Sequence, residues 1–593
     1  MFLIISCFAI SLICIVAMLS SVVIASKKKL IEQKNTIYVI IGGVAFSAFT
    51  MFIPIYNNEF DSCNAFYSIV LSLHNTLRLF AIDGEFSIVS QFFADSINAS
   101  VPQVLKDAYM ILFAILFVAA PFLTFGVVLS FFKNLLAFIN YRFFSYGKDV
   151  CIFSELNEKS LALASDLKKN NSKRVIVFCG VSKDVDSPDY LLDDNARNLG
   201  AILFRKEIVD IPFEKHSTNT SIDFYCIRED EDKNINEAVE LISHYNNRLN
   251  TRLYVFSSGL DGELVLGAVG YGEVKVKRVN EIQLLINNIL YENGYEIFDN
   301  ANPIGEDGLR KITAVVVGLG RHGMTMAKSL PWFCQMTGYK LEMHVFDKAP
   351  DRFSRFVAEC PELLDDEHIQ KDVTDEDAFY SIFSHSGCDV HTSEFDDVLS
   401  TITDATYVFV SLGSDEENLR AAIKLRTSFE KIGIKPIIKT VIYDSDKCKS
   451  LTGIKNHSSQ LYDITFVGDL RTSFSEEVLV FSELEAIALE RHKKWSGEES
   501  FWNFEYNYNS SVASAIHLRY KHYCNVPGIE LPPEERETSE RDALRKLEHR
   551  RWNAYMRSIG YTYSKERNDL AKTHHCLVDF EKLPEKEKEK DDD

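Results

Sequence analysis

KITAVVVGLGRHG, residues 311–323, is the stretch that decides the fold of this chain. Ile312–Val317 is a nearly unbroken apolar run rich in β-branched residues, the pattern of a parallel strand buried on both faces. It passes directly into Gly318-Leu319-Gly320-Arg321-His322-Gly323, and the helical stretch MTMAKSLPWFC follows. Glycines at these three places permit a tight turn, close approach of backbone to a pyrophosphate, and close packing of helix on strand. The helix N-terminus then turns unpaired N–H groups and the positive end of its dipole towards the phosphates. A second strand, LEMHVFD, ends on Asp347, where a carboxylate can accept from both ribose hydroxyls. Strand, glycines, helix, strand and terminal acid in this order predict a Rossmann-type nucleotide-binding domain. A Rossmann domain with an empty pocket is the alternative that these residues leave open.

Downstream, DATYVFVSLGSDEENLRAAIKLR is another buried strand, a turn and a helix, and KPIIKTVIY is the next strand. With GLGRHG and SLGSDEENL in place, and Asn418 opening the helix, residues 311–470 resemble the RCK (regulator of conductance of potassium) or TrkA-N family. The resemblance implies a domain that binds NAD(H), ATP or ADP and controls an ion-conducting membrane partner. The candidate ligand residues are Gly318, Gly320, Arg321, His322, Gly323, Asp347, Lys348, Ser411 and Asn418.

Residues 147–290 read as a degenerate copy. GKDVCIFSELNEKSLALASDL gives strand, turn and helix, and KRVIVFCG gives the second strand. SIDFYCIREDEDKNINEAVELI parallels TYVFVSLGSDEENLRAAIKL and sets Asn234 opposite Asn418; TRLYVFSS parallels KPIIKTVIY. The copy departs at the phosphate turn, where Ser154-Glu155-Leu156-Asn157-Glu158-Lys159-Ser160 replaces the glycines. Side chains there crowd a pyrophosphate and the acids repel it, so this copy is expected to be structural or adapted to another ligand. Two adjacent lobes of this type suggest an intramolecular dimer.

Ahead of both lobes, about Phe2–Ser26, Thr36–Tyr56 and Tyr109–Phe132 are apolar for roughly the twenty residues that a bilayer-spanning helix needs. The first lacks a basic leading region and is followed by Lys27, Lys28 and Lys29, so it reads as an anchor rather than a signal peptide. Lysines in the KKKLIEQK loop, and Lys133, Arg142 and Lys148 after the third span, place those ends in the cytoplasm and the N-terminus outside. Between the second and third spans, SIVLSLHNTLRLFAIDGEFSIVSQFF has helical periodicity broken at Asp83-Gly84. It is either a pore segment or an extracytoplasmic amphipathic helix. It contains no TVGYG-type filter.

The last region changes character. FWNFEYNYN is rich in aromatics, VPGIELPPEERE follows, and SERDALRKLEHRRWNAYMRSIGY reads as a helix. Glu548, His549, Trp552, Gly560, Tyr561, Tyr563, Arg567, Asp569, Lys572, His574, Leu577, Val578, Phe580, Leu583 and Pro584 carry a resemblance to the ryanodine-receptor repeat (RyR) domain of the prokaryotic type. Departures fall at Tyr561, Thr562 and His575. By its residues the region can form an anion-binding aromatic pocket, arginine forking onto phosphate and Trp or Tyr stacking on a base. The second candidate site therefore comprises His549, Arg550, Arg551, Trp552, Tyr555, Tyr561, Tyr563, Arg567, Lys572 and His574. The resemblance implies a signalling nucleotide, cyclic or otherwise, as its ligand; the alternative is that the aromatics form a core and the arginines pair with local acids. The closing EKEKEKDDD reads as a solvated, frayed end.

Composition sets the outer limits. The 593 residues are enough for about three or four domains. A net charge of −21 argues against sequence-independent binding of DNA or RNA. The twelve cysteines show no CxxC pair or zinc spacing, and several sit in apolar runs, as buried thiols of a reducing compartment do. No GxSxG, P-loop or HExxH is present, His574-His575 alone does not suggest a metal, and no nucleophile stands beside a base. The expectation is a multi-domain membrane protein: transmembrane helices at 1–140, Rossmann-like domains at 147–300 and 308–480, and a small, mostly helical RyR-like domain at 498–593. It is expected to sit as a homo-oligomer in the inner or plasma membrane of a prokaryote and to act as a nucleotide-responsive channel, transport regulator or membrane effector, including an antiviral one triggered by a nucleotide messenger. A membrane-tethered NAD-dependent enzyme is the alternative.

Overall fold

The apolar runs of residues 1–140 form long helices, and those beyond form two parallel sheets. The computed structural model describes the chain apart from residues 29–32, 60–64, 82, 95–100, 182–187, 214–218, 268–269, 306–307, 365–379, 452, 456–457, 481, 495 and 593. Cys63 and the centre of the basic loop after the first span lie outside the described residues. Two compact units divide at Ile139–Asn140.

The first unit holds α1 (Phe2–Lys28), α2 (Gln33–Glu59), α3 (Ala65–Phe80), α4 (Ser87–Ala94) and most of α5 (Gln103–Phe144). Three stretches, Phe2–Ser20, Val39–Asn57 and Gln103–Phe125, are long and apolar enough to cross a membrane. They overlap the three expected spans, and the helix that carries the third runs on past Lys133 to Phe144, 42 residues and roughly 60 Å in all. α3 and α4 flank the break at Asp83-Gly84. On α3, Ser68, Ser72, Asn75 and Thr76 are buried while Phe66, Ile69, Leu73 and Leu77 are exposed. Ser72 and Thr76 donate to the carbonyls of Ser68 and Ser72, each at 2.7 Å, so their hydroxyls are satisfied without water. The polar stripe faces inward and the apolar side outward, the reverse of a helix that meets water.

The second unit begins with a six-stranded sheet: β1 (Val150–Phe153), β2 (Val175–Phe178), β3 (Ile202–Leu203), β4 (Ile222–Cys226), β5 (Thr251–Phe256) and β6 (Val274–Val279). Their order is β3-β2-β1-β4-β5-β6, with α6 (Glu158–Asn170), α7 (Pro188–Asn198), α8 (Glu231–Tyr245) and α9 (Leu260–Gly267) as connections. After α10 (Glu281–Asn293), α11 (Tyr295–Asp299) and the edge strand β7 (Asn302–Ile304), the winding repeats. The second sheet is seven-stranded: β8 (Leu309–Val317), β9 (Tyr339–Asp347), β10 (Tyr380–Ser386), β11 (Tyr407–Val410), β12 (Ile437–Val441) and β13 (Ile464–Val467) run parallel in the order β10-β9-β8-β11-β12-β13, and β7 pairs antiparallel with the start of β8. Its helices are α12 (Arg321–Phe333), α13 (Asp351–Glu359), α14 (Ser393–Thr401), α15 (Asp415–Ile432) and α16 (Ser445–Leu451). Strands with near-continuous apolar sequence, covered on both faces, settle into parallel sheets, and the strand order reverses at β1/β4 and at β8/β11. Ligands of such folds bind outside the carboxyl ends of the strands at that reversal.

The lobes exchange their last segments. α10, which follows the first sheet, packs Ile286 and Leu290 into one core with Val316, Met326 and Leu330 of the second lobe. Going the other way, α17 (Leu470–Ser473) and α18 (Glu476–Leu479) follow the second sheet, and Phe474, Leu479 and Val480 join Phe153, Leu163 and Phe178 of the first. Arg174 pairs with Glu476 at 2.6 Å across the same seam.

The remaining elements are α19 (Glu483–Lys493), α20 (Glu498–Asn503), α21 (Glu505–Tyr523), α22 (Thr538–Ser558), β14 (Thr562–Tyr563), β15 (Thr573–His574) and α23 (Glu585–Lys588). The region is mostly helical, as expected, but its core is continuous with the second lobe: Ile516, Leu544, Leu547 and Tyr555 share one buried cluster with Ala314 and Leu330. His517 Nε2 donates to the Gln335 carbonyl at 2.6 Å. The acidic end is not frayed among its described residues. Asp592 pairs with Arg541 and Arg545, and Asp591 with His549, partners too far back along the chain to register in a local charge pattern.

Candidate functional site

The glycine turn sits at the strand-order reversal of the second sheet. Gly318 has φ +92°, and a Cβ there would lie 2.2 Å from the Ser411 carbonyl oxygen. A Cβ on Gly323 would lie 1.7 Å from the Gly318 oxygen, so α12 reaches β8 this closely only with glycine at the third helical position. Gly320 is the N-cap of α12 without a side-chain cap, and a Cβ there meets nothing within 4 Å. The first N–H groups of α12 therefore open onto free space, as a helix terminus that receives an anion does.

Asp347 ends β9. Its Oδ2 accepts the Leu319 N–H at 2.7 Å and its Oδ1 the Ala349 N–H at 2.8 Å, which fixes the carboxylate over the turn with lone pairs to spare. Lys348 is exposed beside it. Arg321 and His322 are the first two residues of the helix. Arg321 reaches across to the first lobe, 3.0 Å from Glu231 and 2.7 Å from the Ser258 hydroxyl. Burial opposes ionisation of Glu231, yet hydrogen bonds from Ser258 and Arg321 outweigh it and lower the pKa below the ordinary carboxylate value. His322 Nε2 lies 2.6 Å from the Tyr443 hydroxyl. Burial, helped by the charges of Arg321 and Lys159, lowers its pKa to about 4, so the ring is neutral at pH 7.

Ser411 is buried, and its carbonyl is the close neighbour of Gly318. Asn418, 3% exposed, accepts the Leu412 N–H and donates to the Val441 carbonyl at 2.8 Å, tying the ends of β11 and β12 together. It supports the crevice and does not line it.

In the first lobe the same corner is closed. Its turn, Ser154–Asn157, has one residue more than Gly318–Gly320. Asn157 caps α6 in a reciprocal box, its Oδ1 accepting the Ser160 N–H and its own N–H donating to the Ser160 hydroxyl, both at 2.9 Å. Over this corner lies Arg228, with Glu237 at 2.8 Å, Glu207 in contact and Glu155 at 3.7 Å. The first lobe thus sets its own helix cap and an ion cluster at the corner where the second lobe has its glycine turn.

The second candidate site is not one pocket. Arg551 is 2% exposed and held by Glu548 at 2.8 Å, with Lys521 on the same carboxylate at 2.7 Å. Tyr555 is buried against Trp332. Arg550 is half-buried, its pKa lowered to about 10 by desolvation. Tyr563 is half-exposed, with its backbone N–H donating to Glu362 of the second lobe at 2.7 Å, and Lys572 is spent on the Ile559 carbonyl at the end of α22 at 2.9 Å. A smaller group does converge. Trp552 lies edge-on to His574 at 5.0 Å, and Tyr561 and Arg567 share Asp569 at 3.2 and 3.0 Å. His549 stacks near Trp552 and donates Nε2–H to the Val578 carbonyl at 2.8 Å.

Two groups escaped sequence reasoning. Arg541 and Arg545, one turn apart on α22, form a carboxylate clamp, for which their spacing of four residues was the available signal. Cys576 joins His574 and His575 so that one ligand-type atom of each lies within 4.8 Å of the others, though His574 Nδ1 accepts the Cys576 N–H at 3.1 Å and the thiol lies 3.6 Å from Glu587. No protein-family model matches the chain, and no curated protein matches it either.

Proposed function

We propose that this chain is a nucleotide-responsive membrane regulator, a ligand-gated channel, transport regulator or membrane effector, whose second lobe receives an adenine nucleotide such as NAD(H), ATP or ADP at its glycine turn. The observation that carries this reading is the uncapped, open N-terminus of α12 beside a fixed Asp347. The phosphates lie against the first N–H groups of α12 at Gly320, and a ribose takes the remaining lone pairs of Asp347.

Arg321 supplies a route for coupling. It bridges the lobes through Glu231 and Ser258. A phosphate at the turn competes for the same guanidinium, and a second phosphate oxygen is a stronger partner than a half-exposed carboxylate. Ligand binding therefore changes the contact between lobes by favouring one of two pre-existing arrangements. The two lobes are covalently tied to the apolar helices through α5. Three short spans per chain do not enclose a pore, so a conducting form is a homo-oligomer in the bilayer with the lobes in the cytoplasm.

The test is ion flux from liposomes holding the full-length protein, with NAD(H), ATP and ADP titrated, alongside calorimetric binding. Ligand-dependent flux is expected, and Gly320→Asp should weaken binding by at least about a hundredfold, near 3 kcal/mol, by setting a carboxylate where phosphate sits. Unchanged affinity in Gly320→Asp would overturn the assignment of the turn. Tight binding without flux in any condition would leave a sensor that works through a separate membrane partner.

A further inference from the structure

We propose that Arg541, Arg545 and His549 of α22 form a phosphate-binding site that the chain's own acidic segment, Glu585–Asp592, occupies as a pseudo-ligand. This inference concerns a different surface from the glycine turn and does not depend on it.

The geometry is that of an oxyanion clamp. Asp592 receives two guanidinium forks at once: Arg541 Nε and Nη2 at 3.0 and 2.5 Å, and Arg545 Nε and Nη2 both at 2.6 Å. Four N–H donors thus converge on two oxygens, an arrangement that a phosphate, with three oxygens and more charge, satisfies at least as well. Beside it Asp591 Oδ2 lies 3.2 Å from His549 Nδ1, whose ring is 3% exposed. The Arg545 side chain is 7% exposed, so its guanidinium requires an anion against it in any folded state. Glu585 at 3.4 Å and Asp542 at 3.9 Å are its other acidic neighbours.

What holds the segment there differs in kind from what builds the clamp. Glu585–Asp592 reads EKEKEKDD and carries no apolar side chain. Apart from a thiol contact of Glu587 and a lysine over Phe580, its side chains bind through charge, so another anion of equal or greater charge can replace Asp591 and Asp592 against the same donors. The clamp, by contrast, stands on a helix whose Leu544 and Leu547 lie in the main core. A receptor anchored in the core and filled by a wholly charged strap with no apolar side chain of its own is built for exchange. A phosphorylated small molecule that takes the clamp frees the strap, and the strap in turn sets the concentration at which this happens.

The experiment uses full-length protein carrying Gly320→Asp, so that the glycine turn does not contribute. Inorganic pyrophosphate is titrated calorimetrically into this protein and into the same protein with Asp591→Asn and Asp592→Asn. Removing the pseudo-ligand should tighten pyrophosphate binding by about tenfold or more, and Arg541→Gln, at a half-exposed position that folding tolerates, should abolish the gain. In protein with the native segment, saturating pyrophosphate should accelerate amide exchange across 585–592. Equal affinity with and without the two aspartates, a gain that survives Arg541→Gln, or unchanged exchange at saturation would each overturn the proposal. None of these outcomes bears on the glycine turn.

Discussion

The two lobes are wound alike and differ at one corner, which is closed by a side-chain cap in the first and left uncapped in the second. Both place an asparagine at the fourth residue of the helix after the central crossover, and both use it in the same way. Asn234 accepts the Arg228 N–H and donates to the Phe256 carbonyl at 2.9 Å; Asn418 accepts the Leu412 N–H and donates to the Val441 carbonyl at 2.8 Å. Both set an acid at the first residue of that helix to hold the following strand end. Glu231 accepts from Ser258, and Asp415 from Tyr443 and Asp444. At the turn between the first strand and first helix of each lobe the likeness stops. The first lobe spends one more residue and satisfies its helix N-terminus internally; the second omits that residue and leaves the terminus open. One inserted residue, with the side chains it permits, accompanies the change from an open helix terminus to a closed cap.

The largest test of that contrast is the third residue of each helix. Gly323→Ala drives a methyl into the Gly318 carbonyl, so a loss of more than about 3 kcal/mol, or failure of the second lobe to fold, is expected in thermal or denaturant unfolding. Its counterpart, Ser160→Ala, removes only the reciprocal cap and should cost about 1 kcal/mol. Equal effects would mean that the turns differ less than their lengths imply. Next come the asparagines. Asn234→Ala and Asn418→Ala each leave buried backbone groups without partners, and about 2 kcal/mol is expected for both. A difference of more than about 1 kcal/mol between them would break the equivalence of the two supports.

Acid should separate the lobes in the same direction. Burial lowers the pKa of both His322 and His385 in the second lobe to about 4. The folded state therefore holds fewer protons than the unfolded one between about pH 6.5 and 4, and stability contributed by neutral imidazole is lost as pH falls through that window. In the first lobe, burial raises Asp223 and Glu237 above the ordinary carboxylate value, so protonation there favours the fold. Amide exchange followed from pH 7 to 4.5 should show the second lobe opening first, by on the order of 1–2 kcal/mol per buried imidazole. Protection that falls equally in both lobes would contradict this.

Much of this contrast was legible in the sequence, and the reason is local. KITAVVV, GLGRHG and the terminal Asp347 each act within a few residues, and the Asn234–Asn418 correspondence follows from aligned strand–turn–helix units. What was not legible depends on distance along the chain. Nothing in the periodicity of Glu281–Asn293 says that its apolar face belongs to the second lobe and that Phe474 returns to the first, because an amphipathic helix specifies a face and not a partner. Arg551 reads as an available fork but is consumed by Glu548, three residues away and equally buried, while Lys521 completes the pair from another helix. The acidic end looks solvated by composition, and only the approach of α22 gives it partners.

The smallest expected effect on stability is the most informative about function. Arg321 is 70% exposed where it meets Glu231, and exposed ion pairs contribute about 0–1 kcal/mol, so Arg321→Gln should change unfolding by a few tenths at most. If the guanidinium is the element shared between the phosphate site and the neighbouring lobe, the same substitution should reduce nucleotide affinity about tenfold and also remove the effect of nucleotide on amide exchange around Glu231 and Ser258. Reciprocity demands the second change along with the first. Glu231→Gln then gives the opposite sign: it releases Arg321 from its competitor and should tighten nucleotide binding by a factor of about two to five, measured by calorimetry at low salt. Weaker binding in Glu231→Gln would mean that the bridge positions Arg321 for the ligand instead of competing with it, and the two lobes would then be coupled through a clamp rather than a switch.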